Sequence, residues 1–449
     1  MAQKLFGTNG VRGVVNKDMT SELAMQMGKA IGSVMAGTIA IATDTRVSAD
    51  MVKTAVSAGI MSVGWDVLDL GVLPTPAIQY YVKGRSDVVG GVMITASHNP
   101  PEFNGIKCIS SDGTEASRAE ESEIEEMYAK DIPCEAWDRV GKMEKVNGAG
   151  EGYVDAILSM VDAESIRAAK LKVCLDCANG AAYETSPLLL KKLNVRAITI
   201  NGNPQGEFPG HESEPNEKNL QDLMIMTKAT KSDMGIAHDG DADRCVFVTK
   251  GGKFVSGDKS LALMSKYVLS KKKGTIVTPV SSSSLVEEMI TEAGGSVVYT
   301  PVGSPIVARR MIETEAIFGG EENGGLIFPE HQYCRDGAMT IAKMLECVVN
   351  RGSLHKQLEQ LPVYHTVKVK VVCPNDRKDH VMDHLVKTSG DAKINDMDGI
   401  KMIFDDGWVL ARPSGTEPVF RIFSESKDSS VAESRAVKYE RIVKEFLGM

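Results

Sequence analysis

Two features of this chain have the residue types and spacing to do chemistry: a serine at the tip of an apolar strand, and three aspartates at alternate positions. The run Val88–Ile94 leads into Thr95-Ala96-Ser97-His98-Asn99-Pro100, which delivers a hydroxyl to a loop with a histidine beside it. The second loop, Asp239-Gly240-Asp241-Ala242-Asp243-Arg244, lies between Ile236 and the apolar run Val246–Val248. Alternate residues of an extended segment share a face. Asp239, Asp241 and Asp243 can therefore meet one hard cation, and magnesium suits an oxygen-only site that leaves room for a phosphoryl oxygen. A nucleophile and a cation site are the minimum parts of a phosphoryl-transfer centre.

Competing readings of these loops are weaker. An EF-hand needs glycine at the sixth position and glutamate at the twelfth, where this chain has Arg244 and Lys250. A Ser-His hydrolase is disfavoured because adjacent side chains on extended chain point apart, and the G-x-S-x-G elbow is absent around Ser97. A phosphatase using Asp239 as nucleophile stays open. A phosphorylated Ser97 would need no adjacent base at rest and would carry about −1.5 to −2 charges.

Further loops offer binding groups. Glu321-Glu322-Asn323, between glycine pairs, supplies acceptors and an amide suited to sugar hydroxyls. Arg412-Pro413-Ser414-Gly415-Thr416-Glu417-Pro418 combines a guanidinium, two hydroxyls and the amide of Gly415, a set that can cradle a phosphate. Arg12 lies in the glycine-rich Phe6–Gly13, and Lys107 follows the serine loop.

The elements that must position these loops repeat three times. The first copy has a strand at Ile39–Ala42, a helix carrying Val52, Val56, Ile60 and Val63, and a strand at Val67–Leu70. The second has a strand at Leu171–Leu175, a helix starting at Ser186-Pro187 with serine as cap, and a strand at Val195–Ile200. The third has a strand at Thr275–Val277, a helix opened by a capping box of Ser284 and Glu287, and a strand at Val297–Tyr299. Each copy leads to another strand and then to one of the loops above. Such units predict parallel strands with right-handed crossovers and ligands beyond the strands' carboxyl ends. Three equivalent loop tips would then converge on a central cleft.

The last segment changes character. An alternating strand at His365–Val372 and a helix at Lys378–Lys387 precede strands at Lys401–Phe404, Trp408–Arg412 and Phe420–Ser424, and a closing helix runs from Val431 towards Leu447. That is an α+β order. Boundaries are expected near Gly150, Gly257 and Tyr364, giving domains 1–150, 151–256, 257–364 and 365–449.

Composition narrows the function classes. The 449 residues are 43% hydrophobic and 25% charged, ordinary for a globular protein. The net charge of −9 argues against a nucleic-acid footprint. No uncharged apolar run reaches the roughly 18 residues of a membrane helix, and MAQKLFGTNG lacks the pattern of a signal peptide. Eight scattered cysteines fit reduced thiols in the cytoplasm. Cys174 and Cys177 read as small apolar strand residues rather than a redox pair.

Taken together, the loops TASHNP, DGDADR, GEENGG and RPSGTEP, in that order, resemble the phosphoserine, magnesium, sugar-recognition and phosphate-binding loops of the α-D-phosphohexomutase family. The opening FGTNGVRG is most similar to its phosphoglucosamine mutase branch, archaeal sequences in particular. The resemblance implies three related α/β domains with mixed, largely parallel sheets, plus a carboxyl-terminal α+β domain like the TATA-binding protein. It implies that Ser97 is phosphorylated, and that Asp239, Asp241 and Asp243 bind one magnesium with a phosphoserine oxygen as further ligand. Glu321 and Asn323 would read the sugar. Arg412, Ser414, Gly415 and Thr416 would hold the non-reacting phosphate. Arg12, His98, Lys107 and Arg244 would surround the transferring group, with Lys107 or His98 as base. The activity implied is interconversion of hexose 6-phosphate and 1-phosphate, first glucosamine phosphate, with mannose or glucose phosphate as the alternative. A hexose bisphosphate activator and a cytoplasmic monomer or homodimer go with it. One departure stands out: many bacterial relatives end the sugar loop in Ser-Gly-His, whereas this chain has Asn323-Gly324-Gly325. The histidine's role is then absent, borrowed from elsewhere such as His331, or replaced by water.

Overall fold

The computed structural model describes residues 5–7, 9–390, 392–414 and 418–449. The chain divides into two compact units, residues 1–260 with 323–359, and residues 261–322 with 360–449.

In the first unit, every residue of Ile39–Thr43 is buried, as expected of a strand covered on both faces. It pairs in parallel with Val67–Val72 on one side and Gly90–Ile94 on the other. The connecting helices are Ala49–Ser62 and Thr75–Lys83. Gly90–Ile94 then pairs antiparallel with Phe103–Ser110, which pairs antiparallel with Val11–Val14. The helix Ser21–Met35 opens on Thr20, whose side chain accepts from the Leu23 amide. Its Met27 and Ile31 join Val52, Val56 and Ile60 in a continuous apolar core. Each such side chain contributes about 1.5–3 kcal/mol on burial.

The same plan recurs at Lys172–Asp176, which lies between Arg196–Ile200 and Met234–His238, all parallel. Antiparallel Cys245–Thr249 and Phe254–Val255 extend that sheet. The helix between its first two strands is Thr185–Lys192, with no side-chain cap. Ser186 is not the expected cap: its hydroxyl is 2.8 Å from His238 Nε2 inside the domain.

In the second unit the plan appears a third time. Thr275–Pro279 pairs in parallel with Ser296–Thr300 and Phe318–Gly320. The intervening helices are Ser284–Glu292 and Ser304–Glu313. The expected capping box does not form. Ser283 is the cap, accepting from the Leu285 amide. Ser284 instead donates its amide to Glu425 and accepts from Trp408 Nε1. The carboxyl-terminal segment is an antiparallel sheet in the order His365–Val372, Val419–Ser426, Gly407–Pro413, Ile400–Phe404, Lys393–Asn395. Val381 and Leu385 of helix Lys378–Thr388, and Tyr439 and Val443 of helix Ser429–Leu447, bury against Met402, Val409 and Phe420 of this sheet. Among the described residues no helix is long and apolar enough to cross a membrane.

In all three copies the central strand comes first in the chain, and a chemistry-bearing loop follows the third strand. The repeat is what delivers the serine, aspartate and Glu321 loops to equivalent places in their domains.

Candidate active site

Ser97 leaves its strand with φ of 51°, in the left-handed region rather than the extended conformation expected for this tip. For a non-glycine residue that costs about 1–3 kcal/mol and must be held by its surroundings. Here the Ser97 amide donates to Thr95 Oγ1 at 2.8 Å, and the Asn99 amide closes a turn on the Ala96 carbonyl. Arg46 clamps the loop from beneath. Its Nη1 donates to the Pro100 and Phe103 carbonyls, and its Nη2 to those of Ser97 and Asn99. Asp44 binds Arg46 Nε at 3.1 Å and accepts from Thr95 Oγ1 at 2.6 Å.

The aspartate loop is a turn, not extended chain: the Ala242 amide bonds back to the Asp239 carbonyl, and Ala242 has φ of 57°. The turn still gathers oxygens of Asp239, Asp241 and Asp243 within 4.8 Å of one another, all three residues buried. Like charges at that spacing repel by about 3 kcal/mol per pair at an effective dielectric near 20. Cations offset this. Lys107 Nζ is 2.7 Å from Asp241 and 3.6 Å from Asp243. Arg244 Nε is 2.8 Å from Asp239 and reaches Glu214 through its Nη atoms. Arg335 Nη2 is 2.5 Å from Asp243. Burial pushes the Asp239 carboxyl up to about 7, against the pull of Arg244, with Asp243 and Asp241 adding to the rise. At Asp241 burial is outweighed by Lys107, with a hydrogen bond from Thr75, and that carboxyl is held far below its usual range.

Ser97 Oγ donates to Asp239 Oδ2 at 3.0 Å, so the serine and the carboxylates meet directly. Gly240 permits this approach: a Cβ there would lie 2.6 Å from the Ser97 carbonyl oxygen. Among the described residues, Asp241 Oδ1 and Asp243 Oδ1 are buried without a hydrogen-bond partner. Orphaned carboxylate oxygens of that kind fit a divalent cation that prefers oxygen ligands.

The other expected residues divide between the two units. In the first unit, Arg12 donates to Asn99 Oδ1 at 2.9 Å, on the serine loop. His98 is 3.6 Å from Glu214 and about 44% exposed. Desolvation first, then Arg244, lowers its pKa, so it is neutral at neutral pH. Asn323 Oδ1 accepts from the Gly325 amide. In the second unit, Glu321 is buried and Oε1 accepts from the Gly303 amide at 3.2 Å, so it is held rather than loose as its glycine flanks suggest. Arg412 Nε donates to Asp398 Oδ1 at 2.7 Å, and Ser414 O accepts from Lys378. Gly415 and Thr416 lie outside the described residues.

His331, the histidine that could stand in for the missing one, packs against aromatic rings. It is 2% exposed, stacked on Tyr80 with ring centroids 4.9 Å apart and tilted against Tyr153. A Cβ at Gly325 would lie 2.2 Å from Arg335 Cδ, so the arginine stem fills the space that a side chain there would need.

Sequence reasoning missed Thr75, Asp44, Arg46, Glu214, Arg335 and Asp398. Only the Asp44-Thr45-Arg46 turn carried a local signal, a carboxylate and an arginine two residues apart after a buried strand. The others touch the expected residues only through tertiary contacts within their own unit.

The fold and site thus define an α/β protein with a strained serine hydroxyl set beside a buried aspartate cluster able to hold a metal ion. Residues 3–133, 151–252 and 256–364 match alpha/beta/alpha domains I, II and III of phosphoglucomutase/phosphomannomutase, and residues 369–441 match its C-terminal domain. The chain belongs to the phosphoglucomutase/phosphomannomutase family. It is 42% identical over 440 residues to a phosphoglucomutase/phosphomannomutase of Thermococcus kodakarensis, covering 96% of each chain. It is 41% identical over 447 residues to a "probable phosphoglucosamine mutase" of Methanopyrus kandleri, covering 98% of each. Among solved structures, a phosphoglucomutase/phosphomannomutase family protein of Burkholderia thailandensis is similar with a TM-score of 0.87 at 26% identity, covering 99% of this chain and 98% of that one.

Proposed function

We propose that the protein interconverts hexose 6-phosphate and hexose 1-phosphate through a phosphorylated Ser97 and a hexose bisphosphate, with glucosamine phosphate as the preferred substrate. Relatives named for glucosamine and for glucose or mannose phosphate support the class, and the amino-terminal loop favours glucosamine. One observation carries the reading: a strained serine with its hydroxyl 3.0 Å from a carboxylate of a buried aspartate cluster, two of whose oxygens make no hydrogen bond.

Asp239, Asp241 and Asp243 would hold a magnesium ion, with Ser97 beside it. Bound there, the ion supplies charge neutralisation for the phosphoryl group and for the serine oxygen as it leaves. The free hydroxyl of the sugar forms a bond to phosphorus, and the bond from phosphorus to Ser97 Oγ breaks, leaving its electron pair on Oγ. The hydroxyl proton passes to His98, which is neutral, rather than to Lys107, whose ammonium is held charged by Asp241 and Asp243. Arg12 and Arg244, fixed by the serine loop and by Glu214, stabilise the spread charge of the transferring group. Glu321 and Asn323 bind sugar hydroxyls. Arg412 and Ser414, with Gly415 and Thr416, hold the distal phosphate. The bisphosphate turns over, and its other phosphoryl group returns to Ser97. The enzyme works in the cytoplasm as a monomer or homodimer, with a hexose bisphosphate as activator.

The test is intact-mass measurement of phosphorylation, together with turnover of glucosamine, mannose and glucose 1-phosphates. The reading expects one added phosphoryl group, lost along with all mutase activity in a folded Ser97→Ala variant. Release of inorganic phosphate by Ser97→Ala would instead establish a phosphatase using Asp239.

A further inference from the structure

Arg335 is fixed on both sides. Its backbone forms an antiparallel bridge with Ile327. The next residue, Asp336, caps helix Gly337–Arg351 by accepting from the Met339 amide at 2.9 Å. The Arg335 side chain is only 10% exposed, passes over Gly325 and ends 2.5 Å from Asp243 Oδ2. Any side chain at 325 would push it off this path, since Cβ would meet Cδ at 2.2 Å and Cγ at 2.9 Å. The carboxylate it grips is part of the aspartate cluster, and Lys107 Nζ lies 3.6 Å from the same group.

A guanidinium and a divalent cation compete when they claim one buried carboxylate, because each repels the other there. A planar guanidinium displaced from a carboxylate keeps five donors matched to phosphate oxygens. We propose that Arg335 is a further phosphoryl-binding residue of this centre, held on Asp243 until a divalent cation takes that carboxylate, whereupon its guanidinium turns to phosphoryl oxygens. Gly325 is the residue that makes room for it. The phosphoryl-binding half rests on the mutase reading above; the competition with the cation does not.

The two halves are tested separately. Manganese binding to the unphosphorylated protein is measured by titration calorimetry for wild type, Arg335→Gln, Arg335→Lys and Gly325→Ala. Removing a competing charge should tighten manganese in Arg335→Gln by about tenfold, within the usual range for coupled sites. Arg335→Lys, which keeps the charge, should stay near wild type. On the same samples kcat should fall about a hundredfold in Arg335→Gln, the usual loss for one preorganised donor. Gly325→Ala should lose activity by displacing Arg335, and should cost nothing more in an Arg335→Gln background. Manganese affinity unchanged or weakened in Arg335→Gln overturns the competition. Unimpaired kcat, or additive losses in the double variant, overturn the phosphoryl role. A wild type that turns over no hexose phosphate sinks the mutase reading and with it the phosphoryl role, while the manganese arm still decides the competition.

Discussion

Arg46 Nη2 donates to the carbonyl of Ser97 at 2.9 Å, so the backbone of the candidate nucleophile is held by a side chain from a different strand-end loop. Every N–H of that guanidinium is engaged, by Asp44 and by four carbonyls of residues 97–103. This is the surrounding structure that keeps Ser97 left-handed. Arg46→Ala should lower kcat about a hundredfold by letting the serine drift, since a misplacement near 1 Å has that effect. It should also destabilise the fold by about 3–5 kcal/mol by leaving buried Asp44 unpaired. Pairing it with Asp44→Asn should recover thermal stability but not turnover; recovery of both would make Arg46 a stability residue only.

Asp398 accepts from Arg412 Nε at 2.7 Å through one oxygen and from the Val302 amide at 2.8 Å through the other. Gly303, the next residue, donates its amide to Glu321. Asp398 therefore links the arginine expected to hold phosphate to the strand-end turn that fixes the glutamate expected to hold sugar. Asp398→Asn should raise KM for the hexose phosphate about tenfold, the loss of roughly one charge-assisted hydrogen bond, with little change in kcat. Steady-state kinetics decide it, and a fall in kcat at constant KM would contradict this placement.

His331, stacked on Tyr80, gives the protein an acid-sensitive element. Desolvation, with Lys83 and Lys343 adding and Asp336 and Glu330 opposing, holds its pKa below the ordinary value. In the unfolded chain the ring titrates at about 6.5. Below that pH the unfolded state binds a proton that the folded state does not, so stability is full above pH 6.5 and falls as pH drops towards the folded value. His331→Phe keeps a ring against Tyr80 and removes the titration. Melting temperature measured against pH should fall less steeply below about pH 6.5 in this variant than in wild type; parallel curves would refute the assignment.

Much of the scaffold was legible because its strands are short, apolar and bounded by turn residues. Ile39–Thr43, Lys172–Asp176 and Thr275–Pro279 announce themselves that way, and the loop motifs follow from their positions. What escaped was set by tertiary approach. Ser284 and Glu287 satisfy the capping-box spacing, yet Glu425 and Trp408 claim Ser284 and leave the cap to Ser283. Ser97 belongs by composition to a turn, but its left-handed φ depends on Arg46, fifty-one residues away in the chain. Arg335 has no local signature, because its importance lies in Gly325 leaving it a path to Asp243.

The approach of the serine and aspartate loops yields the last prediction. Gly240 has its would-be Cβ 2.6 Å from the Ser97 carbonyl oxygen and 3.4 Å from Ser213 Cβ. The closer obstacle is backbone, itself pinned by Arg46, so it cannot swing aside as a side chain would. Gly240→Ala must therefore separate the two loops, at a cost of about 1–3 kcal/mol for overpacking, and lengthen the 3.0 Å contact between Ser97 Oγ and Asp239. Phosphorylation of Ser97, read by intact mass, should become substoichiometric, and turnover should drop about a hundredfold. Trimming Ser213 to alanine leaves its Cβ and the Ser97 carbonyl in place, so Gly240→Ala with Ser213→Ala should be no better. Full activity in Gly240→Ala would mean that the serine need not lie so close to the carboxylates, and the link between the two loops would lose its catalytic meaning.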